Sequence, residues 1–418
     1  MTEQLLQFIW QYQYYNKSDL KASGGETLQI IYPGVHNTNQ GPDFLNAKIK
    51  VGDTLLAGSI EIHVNESEWK NHNHGNDNNY NNVILHIVWE KDKDLQLNFP
   101  TLVLQERVSN ILLSKYESLM KTQNFIPCQD NITAINELTF MAWKDRLLIE
   151  RLQEKSTYVL QLLQKNNNHW EEVFWLMLAK NFGIKINTDA FESMAGSVSI
   201  NILAKHKNQL QALEALIMGQ CGLLEGDFKE DYPIMLQKEF RFLQKKYNLV
   251  ETHFPIYFLR MRPANFPTIR LAQLAVLVYE SSHLFSKIKD AENVKIVEKM
   301  FDVTANDYWH YHYTFEENTG FKKKNLGKQM IQNIIVNTVI PVLYAYGWYN
   351  NNEDYKNKAL KWAEQLLPEK NTITIGFEHL GISNKSAYDS QALIQLKNKY
   401  CNEKKCLQCA VGNKILSS

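Results

Sequence analysis

The periodicity of the apolar residues changes once along the chain, near residue 108. Before this point, short runs that alternate apolar and polar residues are separated by turn residues, which is typical of strands. After it, segments such as 133–165 and 327–347 repeat with a period of about 3.6 residues, which is typical of helices. The sequence therefore predicts an α+β domain over residues 1–107 and a large all-α domain over residues 108–418.

The first region is predicted to form a mixed sheet with flanking helices. An amphipathic helix is predicted over residues 2–15, with Thr2 as its N-cap. Gly52-Asp53 predicts the tight turn of a hairpin, and a polar loop with a short helical piece covers residues 66–82. The predicted strands are 28–32, 44–51, 55–64, 82–90 and 99–105.

Composition places the chain among ordinary globular proteins, with 44% hydrophobic and 22% charged residues. It has no run of 18 or more apolar residues and no basic segment followed by an apolar one at its start. We therefore expect neither a membrane partner nor a secretion signal, and we expect a cytoplasmic location. Five cysteines are too few for a disulfide framework. The oligomeric state is left open.

Two carboxylates and a histidine are expected to meet on the predicted hairpin. Glu61 and His63 lie two residues apart on the returning strand, so their side chains share a face, and Asp43 falls roughly opposite them. Buried carboxylates are costly unless they bind a cation or are paired, which predicts a divalent metal site. The alternative is an Asx-type turn at Pro42-Asp43 and an exposed Glu61 on an edge strand.

Further histidines follow in the polar loop. On an extended segment, His72 and His74 would point the same way and could join His63 as nitrogen ligands. Imidazole with carboxylate suits Zn²⁺, Mn²⁺ or Fe²⁺ better than Mg²⁺. The alternative is that the loop carries polar residues facing solvent. His86, inside an apolar strand, is interpreted as a core histidine.

Gly41-Pro42-Asp43, the hairpin, Glu61-Ile62-His63 and the order of the elements together resemble the PD-(D/E)xK phosphodiesterase superfamily. In that superfamily the acids hold a divalent metal ion and the Lys of Glu-x-Lys helps to position the attacking water. The resemblance implies a nuclease that acts on DNA or RNA with Mg²⁺ or Mn²⁺ bound by Asp43 and Glu61. His63 stands where Lys is expected, and a histidine can also orient water.

The charge of the first region differs from that of a typical nucleic-acid-binding surface. Residues 1–110 contain 13 acidic and 8 basic residues, whereas such a surface carries an excess of Lys and Arg. Bound metal ions would offset part of this negative charge.

Five longer segments of the chain have a recognisable sequence. They are NQGPDFLNAKI (39–49), GSIEIHVNESEWKNHNH (58–74), YNNVILHIVWE (80–90), RPANFPTIRLAQLA (262–275) and YDSQALIQLKNKYCNEKKCLQCAVGNKIL (388–416). Together they resemble a family of bacterial proteins, the domain-of-unknown-function family 2851, and this resemblance implies no particular activity.

Three cysteines, Cys401, Cys406 and Cys409, form a C-x4-C-x2-C pattern, which predicts a metal site in a reducing compartment. Cys128 is the best candidate for a fourth ligand, and Cys221 is interpreted as a core residue. Four thiolates suit Zn²⁺ or a [4Fe–4S] cluster. Some nucleases of the superfamily named above look similar, with one upstream cysteine and three near the C-terminus around an iron–sulfur cluster. The alternative is a group of unligated thiols.

Arginines cluster in the helical region, where Arg260, Arg262 and Arg270 lie within eleven residues. They are predicted to bind nucleic-acid phosphates at the start of a helix capped by Thr268. The alternative is that they pair with acidic groups of the protein itself.

Three functions fit these patterns. The first is a metal-dependent nuclease with Asp43, Glu61 and His63 as catalytic residues. The second is a non-catalytic, nuclease-derived module that binds nucleic acid or protein, and the third is a metal-stapled scaffold without a nucleic-acid role. A basic groove leading to Asp43 and Glu61 would favour the first, and an acidic or blocked cleft would favour the third.

Overall fold

The computed structural model describes residues 1–72, 74–250 and 254–417. The chain forms two compact units, one of Met1–Trp143 with Leu396–Ser418 and one of Lys144–Gln395. The first unit contains the sheet and the second is built from helices. Strands give way to helices where the sequence predicts it, whereas the first compact unit also includes later helices and the C-terminal segment.

A mixed sheet forms the centre of the first unit, which confirms the predicted architecture. In the described residues its strand order is β1-β3-β4-β5-β6, and the short β2 pairs with β3. β1, β3 and β4 are antiparallel neighbours, β5 runs parallel to β4, and β6 runs parallel to β5. The strands are β1 (Leu28–Tyr32), β2 (Val35–His36), β3 (Phe44–Val51), β4 (Thr54–Asn65), β5 (Val83–Glu90) and β6 (Thr101–Val103).

The first helix, α1 (Glu3–Gln11), covers the sheet with its apolar side. Thr2 caps it as predicted, because its Oγ1 accepts a hydrogen bond from the backbone N–H of Leu5 at 3.3 Å. The helix ends at Gln11 rather than at residue 15, since Gln13 has a φ of 57°, which a helix does not tolerate. The indole of Trp10 donates to the carbonyl of Pro33 at 3.0 Å.

A β-bulge in β3 sets the register at one end of the hairpin. Ala47 pairs with Gly58 whereas Phe44 pairs with Ile60, so β3 holds one residue more than β4 between these pairs. Asn46 provides the bulge with a φ of 59°, a conformation that asparagine tolerates better than most residues. One step beyond Phe44, Asp43 therefore lies opposite Glu61, and directly opposite residues share a face.

The remaining helices confirm the large helical region. In the first unit they are α2 (Glu68–Asn71), α3 (Asn110–Lys121) and, at the C-terminus, α19 (Ala410–Ser417). From α4 onwards they are α4 (Glu137–Lys165), α5 (Trp170–Phe182), α6 (Thr188–Ser197), α7 (Ile200–Lys205), α8 (Leu210–Gln220), α9 (Asp231–Tyr247), α10 (Pro267–Glu280), α11 (Leu284–Asp290), α12 (Val294–Met300), α13 (Asp307–Tyr311), α14 (Lys328–Ile334), α15 (Ile340–Tyr349), α16 (Glu353–Gln365), α17 (Thr372–His379) and α18 (Ala387–Gln395).

A π-helical turn, Ile335–Val339, joins α14 to α15. By length and composition alone, the resulting segment Lys328–Tyr349 is the one described helix that could cross a membrane, and 72% of its most apolar window is buried inside the protein.

Candidate metal centre

Asp43 and Glu61 are fixed to each other through the backbone. The N–H of Asp43 donates to Oε2 of Glu61 at 3.1 Å, and the N–H of Ile62 donates to Oδ2 of Asp43 at 3.1 Å. Glu61 is only 5% exposed, and β4 lies inside the sheet. The alternative of an exposed Glu61 on an edge strand is therefore wrong.

Three histidines converge beside Glu61. One nitrogen from each ring of His63, His72 and His74 lies within 4.8 Å of the other two. His63 lies on β4, His72 directly follows α2 as its C-cap, and His74 begins a short 3-10 turn, so the loop is not the extended segment that we expected. Asn73 lies outside the described residues.

The separations between these donor atoms resemble those around a bound ion. Nε2 of His63 lies 3.2 Å from Nδ1 of His72 and 3.6 Å from Oε1 of Glu61, which lies 3.4 Å from Nε2 of His74. With metal–nitrogen bonds of about 2.0–2.1 Å, the donor atoms of a tetrahedral site stand about 3.3 Å apart. Nε2 of His74 is buried and forms no hydrogen bond with any described group. These donors fit a divalent ion.

Trp69 supports the loop that carries two of these histidines. Its ring contacts those of His74 and His86 at centroid distances of 5.3 and 5.5 Å. The ring of Tyr80 stacks on that of His74, with the two centroids 3.9 Å apart. The carboxylate of Glu68 accepts the backbone N–H groups of residues 64 and 65 at 2.9 and 3.1 Å. Hydrogen bonds to β4 and contacts between aromatic rings therefore hold the loop in place.

His86 belongs to the cluster, although the sequence suggested an ordinary core residue. Its Nε2 lies 2.8 Å from Nδ1 of His63, and a bulge in β5 near Ile84 places it opposite Glu61. If Nε2 of His63 offers a lone pair to an ion, the His63 proton resides on Nδ1 and is donated to His86. Such outer partners orient metal-binding histidines.

Burial raises the pKa of both carboxyl groups. For Glu61 the next cause is the charge of Asp43, and for Asp43 it is the charge of Glu3. Like charges held close together in a poorly solvated place favour the protonated form. A cation would reverse this preference, because it stabilises both groups in their charged form.

The pKa values of three histidines, His63, His74 and His86, are shifted in the opposite direction, downwards. Burial, followed by the neighbouring imidazoles, lowers the pKa of His63 to about 2, and burial with His74 lowers that of His86 to about 3. The pKa of His74 is also lowered, chiefly by burial. These rings are neutral at pH 7 and therefore offer lone pairs, as metal binding requires.

Two residues of α1 complete the acidic side of the centre. The amide of Gln7 donates to Oδ1 of Asp43 at 2.8 Å and to Oε1 of Glu3 at 3.2 Å. Burial raises the pKa of Glu3, while nearby His72 lowers it. Neither residue was predicted, because Gln7 and Asp43 are 36 positions apart in the sequence and no local pattern links them.

The predicted cysteine group also comes together, in the first unit. Burial raises the pKa of Cys128 and Cys406 to about 12 and also raises that of Cys401 and Cys409. The charge of Cys409 is one of the causes that raise the pKa of the other three thiols, and hydrogen bonds from the backbone N–H groups of Val411 and Gly412 act in the opposite direction on Cys409 itself. All are free thiols.

Among described residues, the histidine group alone has three ligand atoms within 4.8 Å of one another. The thiols are therefore gathered but spaced more widely. A shared ion would draw the sulfurs together to about 3.8 Å. Cys221 is buried in the second unit, as expected of a core residue.

Comparison with known proteins gives a family but no activity. Residues 3–372 match the family described as "Protein of unknown function (DUF2851)". The chain belongs to this family. Neither a curated protein nor a solved structure matches the chain, and the PD-(D/E)xK resemblance remains a hypothesis. The match includes the whole candidate metal centre and Cys128, whereas the other three clustered cysteines and the segment 388–416 lie beyond it.

The three arginines have different environments. Arg270 is buried within α10, and its guanidinium donates to Gln273 at 2.9 Å and to Asn265 at 2.5 Å. Its side chain is thus occupied inside the protein, which argues against a phosphate contact there. Arg260 and Arg262 are not buried, and their role stays a prediction. Thr268 is not the cap, because α10 begins at Pro267.

Proposed function

We propose that the chain is a metal-dependent hydrolase of phosphodiester bonds, with its active site at Glu61 and the three converging histidines. The observation that carries this proposal is the spacing of the donor atoms. Imidazole nitrogens and a carboxylate oxygen lie 3.2–3.6 Å apart, close to the edges of a metal tetrahedron of about 3.3 Å.

The donor set indicates which ions fit. Three imidazoles and a carboxylate suit Zn²⁺ or Mn²⁺ better than Mg²⁺, which prefers oxygen ligands and keeps several waters. When bound, such an ion supplies Lewis acidity to a phosphate oxygen and lowers the pKa of a water molecule. The proposal therefore favours Mn²⁺ over Mg²⁺ as the activating ion and adds Zn²⁺ as a candidate.

In this proposal the residues of the site have separate roles in binding the ion and in moving a proton. His63, His72 and His74 bind the ion through nitrogen, and Glu61 binds it through Oε1. His63 is buried and already bonded to His86, so its geometry suits a ligand better than a group that positions water. Asp43 presents a second carboxylate beside Glu61 and can bind an ion or accept a proton from water.

The choice of phosphodiesters as substrate rests on the hairpin pattern and the fold. Asp43 and Glu61 stand on paired antiparallel strands, and β5 follows as a parallel neighbour after a short helix. This arrangement fits the resemblance to the PD-(D/E)xK superfamily. A nucleic-acid backbone also brings negative charge that an ion in this acidic region would attract.

The test is metal-dependent cleavage of DNA and RNA, in single- and double-stranded form, with Zn²⁺, Mn²⁺ or Mg²⁺. The expected result is cleavage by the wild type with Mn²⁺ or Zn²⁺, and its loss in Glu61→Gln and His74→Gln. Glu90→Gln and His379→Gln are matched controls, because both residues are exposed. Metal binding without cleavage of any substrate would overturn the enzyme proposal in favour of a non-catalytic module.

We also infer that Cys128, Cys401, Cys406 and Cys409 form a structural site for Zn²⁺ or a [4Fe–4S] cluster. The influence of Cys409 on the pKa of the other three supports it, because three buried thiols and the half-buried Cys401 meet in one unit. Gly412 contributes to this turn through close approach: a Cβ there would stand 2.2 Å from the carbonyl oxygen of Cys406. A glycine at this position therefore leaves room for the carbonyl of Cys406.

A further inference from the structure

The first unit contains a polar pocket that lies outside both proposed metal sites. Its volume is about 340 Å³, within the range of small-molecule sites, roughly 300–1,000 Å³. It is lined mainly by residues 23–26, which precede β1, and by residues 91–100, which connect β5 to β6. Its wall includes the polar residues Glu26, Glu66, Lys91, Asp94, Asn98 and Thr101.

Glu66 is the buried acid of this pocket. It directly follows β4 and is only 2% exposed. Its Oε1 accepts a hydrogen bond from the hydroxyl of Thr101 at 3.4 Å, and the backbone N–H of Leu95 also stabilises the charged form of its carboxyl group. Its Oε2 is buried and forms no hydrogen bond with any described group. Because a buried oxygen without a donor is costly, a ligand that donates to Oε2 would bind favourably here.

Acidic groups outnumber basic groups in the wall of this pocket. The described charged residues that line it are Glu26, Glu66, Asp94 and Lys91. Nζ of Lys91 lies 3.1 Å from Oδ1 of Asp94, so these two residues form an ion pair with each other. Burial raises the pKa of Glu66, while Lys91 lowers it and Asp94 raises it. The ion pair therefore compensates itself, and Glu66 and Glu26 leave the wall with an excess of negative charge.

The spacing of these acids favours an extended cation over a single metal ion. Among the described residues, only the histidine group of the metal centre brings three ligand atoms of His, Cys, Asp or Glu within 4.8 Å of one another. The acids of this pocket are therefore more widely spread. Ca²⁺ needs roughly six to eight oxygens at 2.3–2.6 Å, whereas an organic cation can reach separated carboxylates with different parts of its length. The carboxylate of Glu26 lies beside Gly24, where an added Cβ would stand 2.5 Å from its Oε2.

Apolar side chains form another part of the wall. Leu97 and Phe99 line the pocket and offer a surface for a carbon chain. The ring of Phe99 contacts that of Trp69, with the two centroids 5.0 Å apart. The backbone N–H of Ser23 donates to the carbonyl of Thr101 at 2.8 Å, which joins two of the segments that line the pocket. Contacts within the protein therefore hold the wall in place, so binding a ligand has little ordering of the wall to offset.

We propose that this pocket binds a short aliphatic diamine, with one ammonium group at Glu66 and the other at Glu26. An ammonium group carries three N–H donors, so it can donate to Oε2 of Glu66 and to further oxygens of the wall, such as that of the Asn98 side chain. The excess of carboxylates balances the charge of the ligand, and its carbon chain packs on Leu97 and Phe99. This site requires neither of the metal sites proposed above.

The test is isothermal titration calorimetry of the full-length protein with 1,4-diaminobutane, butylamine and 1,4-butanediol, at about 150 mM salt so that non-specific attraction is screened. The diamine should bind saturably, the monoamine more weakly, and the uncharged diol not at all. Glu66→Gln should weaken the binding of both amines by at least about tenfold, as expected for loss of a charged hydrogen bond. Glutamine has nearly the size of glutamate and can still accept from Thr101, which preserves the fold.

A second variant separates the two ends of the ligand. Glu26→Gln changes an exposed acid of the same pocket, and it should weaken binding of the diamine while leaving that of butylamine unchanged. Glu106→Gln, at an exposed acid outside the pocket wall, and Glu61→Gln, in the metal centre, should bind the diamine as the wild type does. Wild-type protein without saturable binding up to about 10 mM diamine, diamine affinity unchanged in Glu66→Gln or in Glu26→Gln, or binding of the diol would each overturn the proposal.

Discussion

The backbone N–H of Asp43 donates to Oε2 of Glu61 at 3.1 Å, although the residues are 18 positions apart in the sequence. This contact depends on the bulge at Asn46. Continuing the register of the Ala47–Gly58 pair without the extra residue would place Asp43 opposite Ile62, whose side chain points to the other face of the sheet.

Replacement of Asn46 should therefore disturb both stability and metal binding. Asn46→Val places a β-branched residue at a φ of 59° and should lower the free energy of unfolding by about 1–2 kcal/mol. The metal affinity should fall as well, because the bulge aligns Asp43 with Glu61. Urea denaturation and metal titration measure the two effects. Asn46→Gly is the control and should keep both properties, since glycine adopts positive φ readily.

The pH dependence of metal binding follows from the carboxyl groups. In the metal-free protein the pKa of Glu61 lies above its ordinary value of 4.5, so above this pH the native state binds more protons than the unfolded chain. The free energy of unfolding should then fall as pH rises through the folded pKa. Zn²⁺ or Mn²⁺ must displace that proton, so its affinity should increase with pH.

Thermal unfolding across pH, with and without the ion, checks this expectation. The gain in Tm on adding the ion should be larger at about pH 8 than at about pH 5. Glu61→Gln removes the titrating group and should reduce the pH dependence of the metal-free protein. An equal gain at both pH values in the wild type would contradict the assignment of Glu61 as a ligand.

His86 should act on the ion through His63. His86→Phe removes the partner of Nδ1 of His63 but fills a buried position inside β5. Loss of such an outer partner typically weakens metal affinity by about 10–100-fold. Competitive titration with a chromophoric chelator measures the change. A variant that binds as tightly as the wild type would show that His63 is oriented by other contacts, such as that with His72.

The cysteine site can be tested with a matched pair of variants. Cys128→Ser should lose its metal or cluster, whereas Cys221→Ser, at another buried cysteine, should keep it. Elemental analysis measures the metal content of each variant, and a zinc site should give about one Zn²⁺ per chain. A brown colour would indicate an iron–sulfur cluster instead. Equal metal content in both variants would exclude Cys128 as a ligand.

Gly412 offers a test of the same site that leaves every thiol in place. Gly412→Ala would force the new Cβ against the Cys406 carbonyl, and such overpacking costs about 1–3 kcal/mol. Chemical denaturation should show this loss, together with faster release of the metal. Gly75→Ala is the control, because a Cβ at Gly75 meets no atom within 4 Å.

The strands around the metal centre were largely predictable from the sequence. Leu28–Tyr32 and Phe44–Val51 have the predicted bounds, because turn residues mark their ends and apolar positions alternate between them. The same alternation placed Glu61 and His63 on one face. Asp43 was predicted to lie only roughly opposite Glu61 and His63. In the structure the bulge at Asn46 sets the pairing with Glu61, and no local pattern reveals this effect on register.

Other members of the centre could not be predicted, for distinct physical reasons. His86 sits among apolar residues, so its strand has the composition of a core strand whether or not the ring binds anything. Glu3 and Gln7 approach Asp43 only through the packing of α1 on the sheet, which is a tertiary contact. Close cysteine spacing was informative, because few other structures need three thiols within nine residues.

The first unit is built from two segments that are far apart in the sequence, and this has a consequence for its synthesis. Its sheet is complete once the N-terminal residues have left the ribosome, but residues 396–418 of the same unit follow about 250 residues later. At typical elongation rates of 5–20 residues per second, this delay is roughly 10–50 s. During this interval Cys128 exists without the three cysteines of the tail. Loading of the proposed thiol site would therefore be a late step that follows synthesis of the entire helical unit.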